Sequence, residues 1–255
     1  MKKHTLYIIL LLLAGCSGQE EGTVILTQQV YLPEDDHDAI NKNYSQLVDI
    51  QDDVARRYEI GSRTQKYVLK KTERLGSTLP RFNMGLDVTG AQINLNYSLF
   101  LANIKENNSK EAILGLVAHE LAHAQHYHYF SLYELLQLAI RYHSYEKKMA
   151  NSQWANWVRA YERFTDLQAI AYGYANPLVE QKRKTLYYLI SESANEAQFY
   201  AFGAYLTEQE IIDMRTNPVL FHQALQETLT VLEWPIFSEI ASHFPNMTRH
   251  KLSIE

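Results

Sequence analysis

The residues with the clearest chemical potential lie between 118 and 128, where the chain reads AHELAHAQHYH. If this stretch is helical, His119 and His123 are offset by about 40° around the axis and about 6 Å along it, so both imidazoles reach one metal ion. Glu120 points about 100° away from His119, which brings its carboxylate near a water molecule at that ion without making it a ligand. This spacing is the HExxH motif of zinc peptidases.

The helix predicted around this motif is apolar on most faces. Asn108 is a suitable N-cap, and Glu111 follows three residues later, as in a capping box. The apolar positions are Ile113, Leu114, Leu116, Val117 and Leu121, so the helix is expected to be buried. Buried polar groups need partners, which a metal ion or a hydrogen-bonded polar patch would supply. Because composition alone yields the motif in roughly 3% of shuffled chains, its position in a buried helix is what favours the metal site.

A catalytic zinc site needs a third protein ligand. The metzincin pattern requires glycine three residues and histidine six residues after His123, but those positions hold His126 and Tyr129. The segment YERFTDLQAIAYG offers Glu162 and, four residues later on the same helical face, Asp166. The alternative for these two acids is a solvated face on which Arg159 and Arg163 are their partners.

A second acidic pair competes for the ligand position. Glu192 and Glu196 are also four residues apart on a predicted helix. Both carboxylates beside a metal that already has Glu120 nearby would crowd negative charge, whereas the apolar run after Glu162 suits a buried ligand helix. Glu162 is therefore the predicted third ligand, with Glu192 and Glu196 as the alternative.

Residues from about 90 to 175 resemble the membrane-associated gluzincins, which include the heat-shock peptidase HtpX, the CAAX prenyl protease and several outer-membrane lipoprotein proteases. The HExxH helix carries the resemblance, together with YERFTD, which is similar to their Glu-x-x-Ala-Asp with Thr165 in place of alanine. The resemblance implies a zincin-like domain with one Zn²⁺, held by His119, His123 and Glu162. It also implies that Asp166 orients one of the histidines.

The same resemblance implies two further features. The stretch INLN at 93–96 is similar to the family's edge strand, so it is expected to flank the active site and to pair with an extended substrate. Near the C-terminus, His243 with Pro245 and Arg249 resembles a His-Pro stretch of the family. His243 is therefore a candidate for stabilising the transition state, with an ordinary surface histidine as the alternative.

Two more histidines follow the motif. His126 is three residues after His123 and would face the metal in one arrangement, although a capping or surface role is the more usual one. His128 is nine residues after His119, at the predicted helix end, where packing or hydrogen bonding is expected.

The first sixteen residues have the character of a targeting segment. Lys2 and Lys3 precede ten uncharged residues, LYIILLLLAG, which are too few to span a bilayer as a helix. The sequence LAGCS resembles the bacterial lipobox, which implies cleavage after residue 15 and lipidation, including palmitate, of Cys16. The alternative is a chance buried thiol. Ser17 implies the periplasmic face of the outer membrane if the host has two membranes, and the cell envelope in any case.

The rest of the chain bounds the fold and the partners. Its 255 residues carry a net charge of −5 without a basic stripe, which excludes nucleic acid as an expected partner. We predict a tether at 16–34 and one α+β, mostly helical domain at 35–255. The predicted elements are helix over 35–75 with a break at 59–63, short strands over 76–96 with a turn near Thr89 and Gly90, and helices from 110 onward.

These patterns predict a lipid-anchored zinc endopeptidase that acts on peptides or unfolded proteins, with Glu120 as general base. Two alternatives remain open: an envelope chaperone that rarely cleaves, and a non-catalytic binding lipoprotein on a peptidase fold.

Overall fold

The computed structural model describes residues 24–25, 47, 49–60, 66–70, 76–96, 110–148, 154–192 and 203–245. These residues form several helices and one small sheet, which confirms the predicted mostly helical α+β class. The strands are β1 (Val24–Ile25), β2 (Lys66–Lys70), β3 (Gly76–Phe82) and β4 (Val88–Asn96). The helices are α1 (49–57), α2 (Lys110–Tyr129), α3 (Leu132–Lys148), α4 (Ala155–Ala171), α5 (Ala175–Glu192), α6 (Glu208–Thr216), α7 (Pro218–Leu232) and α8 (Pro235–Ser242).

β4 is an interior strand of the sheet. The strand order is β1-β2-β4-β3, with β2 parallel and β3 antiparallel to β4. The prediction of an edge strand at 93–96 is therefore wrong, because residues 93–95 have a strand on each side. β3, which forms a hairpin with β4, lies on one side of β4. β2, from earlier in the chain, lies on the other side. Within the described part of the chain, β3 is the strand at that end of the sheet.

Two further expectations are corrected between residues 59 and 96. The predicted break begins at Glu59, which has a φ of 56°, but 66–70 form β2 instead of continuing a helix. The turn expected at Thr89 and Gly90 is also wrong, since both lie in β4. The chain reverses at 83–87, where the Asp87 N–H donates to Asn83 Oδ1 at 3.0 Å. An asparagine that bonds the backbone in this way stabilises a chain reversal.

α2 is the central helix, as its apolar faces predicted. Almost all of its length is buried, and it packs against β3, β4, α4, α5 and α8. On the sheet side it meets the alternate buried residues of β4, Ala91, Ile93 and Leu95. On the α5 side, Gly115 permits a close approach, because an added Cβ would overlap the Pro177 carbonyl. A helix enclosed in this way holds its polar side chains away from water.

α4 runs beside α2 and ends shortly before a glycine. Its last residue is Ala171, and Gly173 follows with a φ of 92°. Among the residues described, no helix is both long and apolar enough to cross a membrane. The predicted signal segment and Cys16 lie outside the described residues, as do Glu196 and Arg249.

Candidate metal centre

α2 and α4 bring two histidines and a glutamate to one point. Glu162 Oε2 lies 3.1 Å from His119 Nε2 and 3.4 Å from His123 Nε2. Their potential ligand atoms all lie within 4.8 Å of one another. The exposed fractions are 5% for His119, 7% for His123 and 4% for Glu162. The structure thus places together the three residues that the sequence predicted as ligands, and this buried group could hold a metal ion.

The donor set fits zinc. Ligand atoms about 2.0–2.1 Å from a tetrahedral ion lie about 3.3–3.4 Å apart, which is close to both observed distances. Two imidazole nitrogens and one carboxylate oxygen are also a ligand combination that catalytic zinc sites use. In the described part of the chain this is the one cluster of three such side chains that meets the distance requirement.

His119 is oriented by a carboxylate behind it. Its Nδ1 lies 2.8 Å from Asp166 Oδ1, so a proton on Nδ1 leaves the Nε2 lone pair facing Glu162. Burial disfavours the charged form and is the largest influence on the pKa of His119. Hydrogen bonds to Asp166 and Glu162 outweigh that influence and raise the pKa from 6.5 to about 10. The two carboxylates beside the His119 ring therefore favour positive charge there, whether from a proton or from a metal ion.

Asp166 itself is fully buried and has three donors. Lys182 Nζ lies 3.0 Å from Oδ2, and the Leu206 N–H donates to the same oxygen at 3.0 Å. Burial would raise the pKa of Asp166, but the charge of Lys182 and the bond to His119 lower it. The carboxylate therefore remains ionised and acts as an acceptor for His119. Its placement agrees with the orienting role that the resemblance implied.

His123 is bonded by Thr165, which stands where the resembled gluzincins have alanine. Thr165 Oγ1 lies 3.4 Å from His123 Nδ1 and donates to the Tyr161 carbonyl at 2.9 Å. Since that hydroxyl proton is used within α4, the oxygen is left to accept from the Nδ1–H of His123. Both histidines thus have a partner at Nδ1 and direct Nε2 towards Glu162.

Glu120 is turned towards the sheet. Its Oε2 accepts a hydrogen bond from Thr78 Oγ1 at 2.6 Å. An added Cβ at Gly76 would overlap the Glu120 carboxylate, so the strand passes directly over this side chain. Burial raises the pKa of Glu120, partly opposed by the neighbouring histidines and by the Thr78 hydrogen bond. A more basic carboxylate beside the metal group, meaning the cluster of His119, His123 and Glu162, suits a general base.

Glu162 has a second hydrogen-bond partner on α3. The Tyr142 hydroxyl donates to Glu162 Oε1, the oxygen that does not face the histidines. Burial would raise the pKa of Glu162, but the charge of His123 and the hydrogen bonds to both histidines hold it well below its usual value. Glu162 is therefore an ionised carboxylate whose two oxygens have different partners.

His126 does not join this group. It is completely buried, with Nε2 2.6 Å from Gln168 Oε1 and Nδ1 3.2 Å from the Tyr161 hydroxyl. Burial lowers its pKa to about 3, so the ring is neutral. Because both ring nitrogens have partners, His126 is a hydrogen-bonded core residue. His128 is exposed near the end of α2.

His243 lies in a different part of the molecule. Its ring stands 5.9 Å from that of Tyr129, the last residue of α2. It lines a cavity of about 400 Å³ with Arg57, Glu59, Gln125, Tyr129, Tyr172 and Pro245. Tyr129 is about 9 Å along the helix axis from His123. The structure thus does not bring His243 together with the predicted ligands, and its proposed role remains a prediction. Glu192 is the last residue of α5 and Glu196 lies outside the described residues, so the structure does not test the competing pair.

Four residues of this site were not singled out as functional by sequence reasoning: Gly76, Thr78, Tyr142 and Lys182. Thr78 and Gly76 lie in a strand more than 40 positions before Glu120, and Tyr142 is one of 18 tyrosines. No local spacing marks any of them. Thr165 was visible as a departure from the family pattern, and that departure was a usable signal.

No protein-family model, curated protein or solved structure matches this chain.

Proposed function

We propose that this protein is a zinc-dependent endopeptidase with a zincin-like catalytic domain. The observation that carries the proposal is the buried cluster of His119, His123 and Glu162, with the Glu120 carboxylate next to His119 in the chain but turned to β3. Three protein ligands leave a fourth position for water or substrate, as catalytic zinc sites require. A mostly helical α+β fold with a sheet strand over the site agrees with this class.

The residues of the chain have distinct parts in the proposed reaction. His119, His123 and Glu162 would hold the ion, which when bound would supply a Lewis acid for the scissile carbonyl and for water. Glu120 accepts a proton from the attacking water as the new C–O bond forms. It then delivers that proton to the amine nitrogen as the peptide C–N bond breaks. Thr78 fixes the carboxylate in place by a hydrogen bond, and burial raises the pKa of Glu120, the direction that favours proton acceptance.

The proposed substrate is an extended peptide or an unfolded protein segment. β3 lies at the end of the sheet, and Thr78 within it touches the general base. A peptide that pairs with β3 by main-chain hydrogen bonds would therefore pass beside Glu120. β3 takes the part that the sequence had assigned to 93–96.

The proposed location is the bacterial cell envelope, through lipid attached to Cys16. Support comes from the LAGCS sequence after an apolar segment of ten residues. With Ser17 next, the proposal extends to the periplasmic face of the outer membrane where the host has two membranes. Bacterial lipoproteins generally carry more than one acyl chain, which gives firm attachment, since a single chain binds only marginally.

The test is cleavage of an unfolded protein by the full-length protein in detergent, with and without a chelator. We expect cleavage that a chelator abolishes and added zinc restores. Glu120→Gln should retain zinc and fold but lose at least about 100-fold in rate, the usual scale for a lost general base. Glu111→Gln, exposed in the first turn of the same helix, is the matched control and should cleave normally.

One outcome would reject the peptidase, and another would reject the role of Glu120. Stoichiometric zinc without any cleavage, together with binding of the unfolded protein, would favour the chaperone or the non-catalytic binding protein. If Glu120→Gln loses zinc as His119→Ala does, Glu120 is a ligand and its role as base is wrong.

A further inference from the structure

The two oxygens of Glu162 have unlike surroundings. Oε2 faces the Nε2 atoms of His119 and His123, at 3.1 and 3.4 Å. Oε1 accepts the hydroxyl hydrogen of Tyr142, from a different helix. A carboxylate can bind a metal through one oxygen or through both. In this arrangement one oxygen is directed to the metal group and the other already has a donor.

The position of Tyr142 is set by contacts that do not involve the metal group. α3 begins with a capping box in which Ser131 and Glu134 bond each other. Arg141, the residue before Tyr142, lies over three tryptophan rings, at 4.6 Å from Trp154, 4.2 Å from Trp157 and 4.6 Å from Trp234. Such cation–π contacts stabilise the docking of α3 on the start of α4.

The ring of Tyr142 is also held in place. It packs edge-to-face on Tyr161, with ring centroids 6.1 Å apart. Tyr161 in turn directly precedes Glu162 on α4. The hydroxyl of Tyr142 therefore meets Oε1 from a helix and a ring that are independently anchored, which gives the hydrogen bond a fixed direction.

We propose that Tyr142 is a positioning residue that restricts Glu162 to one-oxygen ligation and so keeps a coordination position open for water and substrate. The inference rests on the proposed zinc peptidase. A bidentate Glu162 would place a second oxygen at the position that catalysis needs. By engaging Oε1, Tyr142 opposes the rotation that would bring this oxygen to the metal, as hydrogen-bonded outer partners do for other metal ligands.

If the role of Tyr142 were purely structural, removal of its hydroxyl would lower stability, as the loss of any buried hydrogen bond does. Metal coordination would then stay unchanged. Coordination number is therefore the property that separates the two roles. Cobalt(II) reports it directly in a zinc site, because its visible bands are strong in four-coordinate sites and weaken when a fifth ligand binds.

The experiment compares Tyr142→Phe with the wild-type full-length protein, each loaded with cobalt(II), and with zinc for kinetics. Tyr58→Phe is the matched control, because it removes another buried hydroxyl, which donates to the Ala118 carbonyl at 3.0 Å. In Tyr142→Phe we expect weaker visible cobalt bands and a kcat lower by about 10-fold, the scale of outer-partner losses. KM and cobalt stoichiometry should stay near wild type. In Tyr58→Phe the cobalt bands and kcat should not change.

Two results would overturn the inference. If Tyr142→Phe keeps the wild-type cobalt spectrum and kcat, and only melts at a lower temperature as Tyr58→Phe does, Tyr142 is structural while the peptidase proposal is unaffected. If the wild-type protein binds no stoichiometric cobalt or zinc, the metal centre itself is wrong, and the role of Tyr142 is rejected with it.

Discussion

Lys182 and Asp166 form a buried ion pair directly behind the metal group. Lys182 Nζ lies 3.0 Å from Asp166 Oδ2, and the other oxygen of that carboxylate bonds His119. With a divalent ion bound, the positive charges of the ion and Lys182 equal the negative charges of Glu120, Glu162 and Asp166. Burying so many carboxylates is costly unless their charge is compensated. Lys182 therefore offsets part of the free-energy cost of burying them.

Lys182→Met should therefore destabilise the metal-free protein strongly. Removing one partner of a buried ion pair costs up to about 3–5 kcal/mol, because Asp166 then keeps only His119 and the Leu206 N–H as partners. Adding Asp166→Asn removes that charge, so the double variant should recover part of the loss. Urea unfolding of the two single variants and the double variant measures this coupling. Additive losses would show that the pair does not interact energetically.

Asp166→Ala should weaken zinc binding by roughly 10- to 100-fold, the usual effect of losing a partner that orients a metal-binding histidine. The comparison variant is Asp213→Ala, which removes an exposed carboxylate that accepts from Gln209. Competition with a zinc chelator of known affinity gives both constants. Equal affinities in the two variants would remove Asp166 from the metal centre.

Gly76→Ala should impair cleavage without releasing zinc. The added methyl group would overlap the Glu120 carboxylate, so this proposed general base must move or the strand must shift. The proposed ligands lie on α2 and α4, so metal content should stay stoichiometric. Thr89→Ala, at an exposed position of β4, should cleave normally. Full activity in Gly76→Ala would mean that the strand is not held over the general base.

The third ligand is tested by Glu162→Gln, Glu192→Gln and Glu196→Gln together. Only the first should lose zinc and the rise in melting temperature that zinc produces, because Glu162 Oε2 faces both histidines. Metal analysis after dialysis, with melting curves at matched zinc, gives the result. Normal zinc in Glu162→Gln and loss in either of the others would reassign the ligand.

Cys16→Ser should retain its signal segment and incorporate no lipid. Metabolic labelling with a palmitate analogue should mark the wild-type protein alone, since Cys16 is the single cysteine in the chain. In a host with two membranes, fractionation should place the wild type in the outer membrane. Recovery from the inner membrane would contradict the sorting that Ser17 predicts.

The sequence by itself determined which helices carry the residues of the candidate site. The spacing of His119 and His123, and of Glu162 and Asp166, is local, and an α-helix converts such spacing into a shared face. The apolar faces of α2 predicted its burial for the same reason. These inferences needed only the regular geometry of one helix at a time.

Only the tertiary structure decided which residues surround these two histidines and two acids. Thr78 meets Glu120 across 42 positions, Tyr142 meets Glu162 across 20, and Lys182 meets Asp166 across 16. Such pairs depend on how separate elements pack, and no periodicity within either element encodes them. Strand order is equally non-local: β2 pairs in parallel with β4 and makes it interior, and separately Gly76 of β3 lies over the Glu120 carboxylate.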